Sequence, residues 1–245
     1  MIGDTTTLAL ALGAMALAGL VRGFSGFGAA MILVPSLSVL FAPVVAVPVM
    51  SLTDSVCTLP IVIDSFRRCD WRQVLPLALS SAVTLPIGVQ VLVRLDAAVL
   101  TVAIGILVLA ITALMAAGWR YRGHVGLATT LATGAVAGFL GGAIGIAGPP
   151  VILFWLAGQA DAVRVRANLF AYFGCSSVTS LSTLAFTGLF TGDVLWLTLL
   201  LAPAFAVALL VGGRLFGRAG ERVFRFVALG IVGLIGLGAV VSGLA

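Results

Sequence analysis

VRGFSGFGA (residues 21–29) sets an arginine, a serine and three glycines into an otherwise apolar run near the N-terminus. Such a cluster fits a serine nucleophile, a phosphate cradle, an ion or substrate site, or a helix-packing seam. What surrounds it decides among these.

The 245 residues are 62% apolar and 9% charged, with a mean hydropathy of +1.27. That is too little charge to clothe a soluble domain of this size. Apolar runs of about twenty residues recur along the chain, long enough to cross a bilayer. The reading is an all-α polytopic protein forming a single membrane domain over 1–245, in contact with membrane lipid. The net charge of +5 comes from arginine alone, since the chain has no lysine. No basic face interleaved with aromatics accompanies it, which argues against a nucleic-acid partner. The N-terminal MIGDTTTLALALGAMALAGL lacks a positive leading region and is expected to be the first membrane segment.

Six runs read as ordinary spans, at 43–63, 74–93, 97–117, 167–188, 194–213 and 223–243. Two regions, 5–41 and 126–158, are too long for one span, and each is interrupted by glycines, GFSGFG (23–28) and GGAIGIAGPP (141–150). With limbs of about 12–18 residues, each region is either one broken helix or a hairpin that turns back. Charge separates the options. If both turn back, Arg67, Arg68, Arg72, Arg120, Arg122, Arg164, Arg166, Arg214, Arg218, Arg222 and Arg225 fall on one side. Only Arg94 lies opposite, the bias expected of cytoplasmic loops. Two short complete spans per region give the same sidedness.

Sliding the chain by 119 positions lays AGLVRGFSG (18–26) on AGFLGGAIG (137–145), and after a further slip of five PIGVQVLVRL (86–95) loosely matches LVGGRLFGRA (210–219). Each half is then one broken or re-entrant helical hairpin plus three transmembrane helices, the first repeat at 5–118 and the second at 126–243. Three spans per half invert one repeat relative to the other, the usual build of a secondary transporter with its site near the midplane.

In that geometry the second limb of each hairpin begins near Gly28 and Ala29, or near Pro149 and Pro150. Two helix N-termini with free N–H groups and partial positive charge converge, which makes an anion site. The candidate substrate-binding residues are Arg22, Gly23, Ser25, Gly26, Gly28, Gly142, Gly145, Gly148, Pro149, Asn168 and Tyr172. Arg22, an arginine inside a membrane segment, either grips an oxyanion with parallel hydrogen bonds or serves structure by pairing with Asp54. Asp54, an acid well inside a span, is a charge partner for Arg22 or carries a coupling proton. Asn168, Tyr172, Ser176 and Ser177 form a polar edge that either lines the site or bonds between helices.

Gly23-Phe-Ser-Gly26 matches the GxSG string of rhomboid-type intramembrane proteases, yet the one histidine, His124, lies in the arginine-rich WRYRGH (119–124). No base reaches the serine, so no catalytic residue is expected. A phosphate loop fails for want of lysine. Cys57, Cys69 and Cys175 have no metal-ligand spacing, and no metal or cofactor is expected.

At these residues the chain resembles the sulfite exporter TauE/SafE family of permeases over essentially its whole length. GFSGFGAAMILVP (23–35), GFLGGAIGIAGPP (138–150), Pro86-Ile-Gly88 and Gly212-Gly-Arg214 carry the likeness. The resemblance implies a gradient-driven transporter of small sulfur-containing anions such as sulfite, sulfonates or sulfoacetate, in the bacterial cytoplasmic (inner) membrane. Phe24, Ser25 and Phe27 depart from a glycine-richer family motif. The alternatives are an anion channel and a non-transporting scaffold subunit; a homo-oligomer is compatible with each.

Overall fold

The computed structural model describes residues 5–117, 126–156 and 162–215, together with 237 and 241. Among them every regular element is a helix: α1 (Thr5–Ser25), α2 (Ala29–Phe41), α3 (Pro43–Phe66), α4 (Trp71–Arg94), α5 (Ala97–Ala116), α6 (Leu127–Ile144), α7 (Gly148–Leu156), α8 (Ala162–Phe186) and α9 (Gly192–Leu215). Helices satisfy their backbone groups within the segment, the condition for crossing hydrocarbon. Seven of the nine, all but α2 and α7, are long and apolar enough to do so. The expected spans at 43–63, 74–93, 97–117, 167–188 and 194–213 correspond to α3, α4, α5, α8 and α9. The expected span 223–243 lies outside the described residues.

The limbs of the interrupted regions are unequal: α2 and α6 fall within the expected 12–18 residues, and α1 exceeds it. α1 has 21 residues and α6 has 18, both of spanning length, whereas α2 has 13 and the described α7 has 9. α1 keeps Arg22 inside the helix and ends only where Gly26 (φ 80°) and Gly28 (φ 91°) adopt left-handed backbone. α6 stops at Gly145 (φ 71°), whose N–H donates to the Gly141 carbonyl while that of Ile146 donates to Leu140. This is the closure that commonly ends helices at a left-handed glycine.

Close approaches fix how the helices run. A Cβ on Gly19 or Gly23 of α1 would strike the Phe205 or Leu209 carbonyl of α9, so α1 and α9 run parallel. Likewise Gly134, Gly138 and Gly142 of α6 lie on Leu77, Ser81 and Leu85 of α4, again in parallel. Small residues let two backbones meet and maximise packing where water supplies no driving force. α2 and α3 fold back on each other at Ala42, because Val34 and Val47 both touch the space beside Gly145. In one continuous helix those valines would stand about 20 Å apart.

One end of the bundle gathers the connections. The Asp70 N–H donates to Asn168 Oδ1 (2.8 Å), and Asp70 caps α4 by accepting from the Arg72 N–H (3.1 Å). Trp155 Nε1 near the end of α7 donates to Gln73 Oε1 (3.0 Å), so α7 returns to the end from which α6 sets out. Arg166, in the second turn of α8, donates to the Gly23 carbonyl (2.7 Å), so α1 ends facing the same region.

Candidate functional site

Between the two breaks lies a cavity of about 70 Å³, room for several waters or one small anion. Gly28, Ala29, Ala30 and Met31 bring the start of α2 to it, and Gly145, Ile146, Ala147, Gly148 and Pro149 bring the start of α7. Arg22 and Asp54 are the charged side chains in its wall. Asp54 sits halfway along α3 (Pro43–Phe66), so the cavity is at mid-depth of that helix.

Arg22 is 2% exposed. Its Nε donates to Asp54 Oδ1 and its Nη2 to Asp54 Oδ2, both at 2.8 Å, a bidentate fork, while Nη1 donates to the Gly26 carbonyl. The guanidinium carbon lies over the rings of Phe170 (4.8 Å to the centroid) and Phe173 (4.4 Å), both on α8. Of the two roles open to Arg22, pairing with Asp54 is present in this structure. The guanidinium therefore presents no free charge to the cavity. The remaining positive potential comes from the ends of α2 and α7.

Those two ends differ. Helix geometry leaves the N–H groups of Ala29 and Ala30 without an intrahelical acceptor, and Gly28 supplies no side-chain cap. In α7 the second and third residues are Pro149 and Pro150, which have no N–H to offer. The first break thus contributes donors, and the second mainly a dipole and a wall.

The other expected residues fall into two groups. Gly28, Gly145, Gly148 and Pro149 line the cavity with Arg22 and Asp54. Gly23 and Gly142 instead lie in the seams against α9 and α4. Gly26 holds its left-handed turn and receives Arg22 on its carbonyl. Ser25 Oγ bonds locally, donating to the Val21 carbonyl (2.7 Å) and standing 2.8 Å from that of Phe27. Asn168 accepts from the Asp70 N–H at the bundle end, and the buried Tyr172 hydroxyl shares a hydrogen bond with Ser81 Oγ (3.0 Å).

Ser176 and Ser177, singled out as a polar edge, do line the cavity. The sequence reasoning missed Ser51, Ser55 and Ser180, which complete a hydroxyl lining from α3 and α8. Their signal is spacing: Ser51 and Ser55 stand four apart around Asp54, and Ser176 and Ser180 four apart on α8, so each pair shares a helix face. Cys69, in the connection between α3 and α4, has its thiol pushed up, chiefly by burial, and approaches the Phe66 carbonyl.

A model of the sulfite exporter TauE/SafE family matches residues 11–239. The probable sulfite/organosulfonate exporter TauE of Cupriavidus necator is 30% identical over 226 residues, covering 88% of this chain and 86% of the relative. No solved structure matches the chain. The chain belongs to the sulfite exporter TauE/SafE family, and is a multi-pass transporter of sulfur-containing anions in the bacterial cytoplasmic membrane, not an enzyme.

Proposed function

We propose that this TauE/SafE protein is a gradient-driven carrier whose substrate, a small sulfur oxyanion or organosulfonate, binds in the cavity between the two helix breaks. One observation carries the reading: two helix starts, a buried arginine and a set of serine hydroxyls open onto a single mid-depth cavity. Hydroxyls and backbone N–H groups donate to sulfonyl oxygens without imposing a charge, and the helix ends supply the attraction.

The inverted-repeat reading, with halves at 5–118 and 126–243, draws support from the seams. Gly19 meets Phe205 and Gly138 meets Ser81; Gly23 meets Leu209 and Gly142 meets Leu85; Gly212 meets Leu20 and Gly88 meets Phe139. Within these pairs the first limbs are offset by 119 positions and α4 from α9 by 124, the two offsets of the sequence match. Exchange of contacts between halves is what a pseudo-two-fold axis produces, and rocking one half against the other gives alternating access.

The relative's name says exporter. A site reached in turn from each face carries its anion down whichever gradient prevails, so direction follows from conditions. The deciding experiment uses purified protein in proteoliposomes with radiolabelled sulfite and a radiolabelled sulfonate. Saturable uptake with counterflow is expected. Unitary conductance in a planar bilayer would replace the carrier with a channel, and no flux from the protein alone would favour a scaffold subunit.

A further inference from the structure

We infer that Asp54 is an internal stand-in for the substrate anion: it occupies Arg22 when the site is empty, and gives it up by taking a proton when substrate binds. The inference rests on the anion-carrier reading and assigns that carrier its coupled ion.

Of the five N–H groups of the Arg22 guanidinium, two are held by Asp54 and one by the Gly26 carbonyl. Its central carbon also lies over the rings of Phe170 and Phe173. The two-pronged edge that best fits an oxyanion is the edge Asp54 already fills. Arg22 and Asp54 both border the cavity, so an arriving anion meets a carboxylate seated in its own place.

Three charges cannot share the site as they stand. A sulfonate on Arg22 beside an ionised Asp54 leaves one buried carboxylate without its cation, which is strongly unfavourable in a dry interior. A proton on Asp54, taken up from hydronium in the bulk solvent so that only neutral water is left behind, removes that charge and turns the carboxylate into a carboxylic acid able to donate a hydrogen bond to the anion. The O–H bond formed on Asp54 replaces the one broken in hydronium, and the exchange reverses on release. Empty, the site holds a cation and a carboxylate; loaded, a cation and a monoanion. Either form has the same net charge and can reorient without carrying an unpaired charge across the bilayer.

The charged and titratable neighbours leave Asp54 as the group that responds. Arg22 comes from α1 and Cys57 is one turn along on α3. α8 contributes Arg166, which sits near Arg22, with Tyr172 and Cys175. α2 and α5 carry no ionisable side chain, and those of α4 and α9 (Arg72, Arg94, Asp193, Arg214) stand at the helix ends.

The test is equilibrium binding of methanesulfonate, an anion with no titration of its own, to the purified full chain in buffers that are not themselves sulfonates. Affinity should rise about tenfold per unit fall in pH wherever the empty protein's Asp54 is ionised. A pH-sensitive dye should report close to one proton taken up per anion bound. Asp54→Asn, with Arg22 left available, should bind tightly with no pH dependence. If that variant does not fold, the proton count on the unaltered protein decides alone. Binding with neither pH dependence nor proton uptake overturns the inference while leaving the anion site standing. No binding of methanesulfonate or sulfite at any pH overturns the site, and the inference with it.

Discussion

At the first break α1 ends on Arg22-Gly23-Phe24-Ser25 and the chain resumes as Ala29-Ala30-Met31. At the second, 119 positions on, Gly141 stands where Arg22 was, and Gly148-Pro149-Pro150 opens the returning helix. Gly26 and Gly145 correspond, and both are left-handed, at φ 80° and 71°. The backbone turns alike in the two places, and the chemistry does not. One break brings a guanidinium and helix N–H groups; the other closes its own carbonyls and brings prolines. In the proposed inverted repeat the same turn serves twice, whereas the proposed anion site would take its strong donors from the first break alone.

The sharpest way to break this comparison is to remove the charge from the first break. Arg22→Gln alone would strand Asp54, so the double substitution Arg22→Gln with Asp54→Asn is the cleaner probe. Charge-assisted hydrogen bonds contribute about 1.5–3 kcal/mol each. Losing a bidentate grip should therefore weaken sulfite or sulfonate binding by about 100-fold or more. Gly141→Ala at the corresponding place meets only the Ala147 methyl at 3.0 Å and should change affinity less than about twofold. Similar losses from both would show that the breaks share the work. Binding is read by isothermal titration, with thermal unfolding of each variant confirming that it folds.

The seams offer the converse test, since there the halves should behave alike. A Cβ at Gly23 would collide with the Leu209 carbonyl and approach the Gly213 nitrogen at 2.8 Å. One at Gly142 would collide with the Leu85 carbonyl and approach the Val89 nitrogen at the same 2.8 Å. Gly23→Val and Gly142→Val should each force two helices apart at a cost of about 1–3 kcal/mol or more. The thermal midpoint in detergent should fall by about 5 °C or more in both. A large fall in one and none in the other would argue against equivalent seams.

How much of this could be read beforehand depends on the range of each interaction. The spans of α3, α4, α5, α8 and α9 follow from hydropathy, a local sum, and the breaks follow from glycine and proline, local breakers. The length of α1 did not follow. Arg22 lies inside the last turn of α1 and is held there by a carboxylate 32 residues away, a pairing that only the tertiary fold selects over an oxyanion contact. Tyr172 and Asn168 looked like site residues, but their partners, Ser81 and Asp70, are 91 and 98 positions distant. The hydroxyls of Ser51, Ser55 and Ser180 were passed over because a serine in a membrane helix reads equally as interhelical glue. The α3–α8 packing that turns these faces to one cavity is a tertiary fact.

The smallest expected effect tests the donor count directly. Ala30 and Pro149 correspond across the breaks, and both line the cavity. Pro149→Ala would give the start of α7 the N–H that α2 already has. The added neutral hydrogen bond is worth about 0.5–1.5 kcal/mol, so anion affinity should rise by about two- to tenfold. Against this works the loss of proline's preset backbone angle, about 0.4–1 kcal/mol of stability, read separately as a small fall in the thermal midpoint. A rise in affinity despite lower stability would separate the two roles of that position, a donor lost to binding and a rigid start gained for the fold. Unchanged or weaker binding would mean that the substrate does not touch the α7 N-terminus, leaving the first break to hold the anion alone.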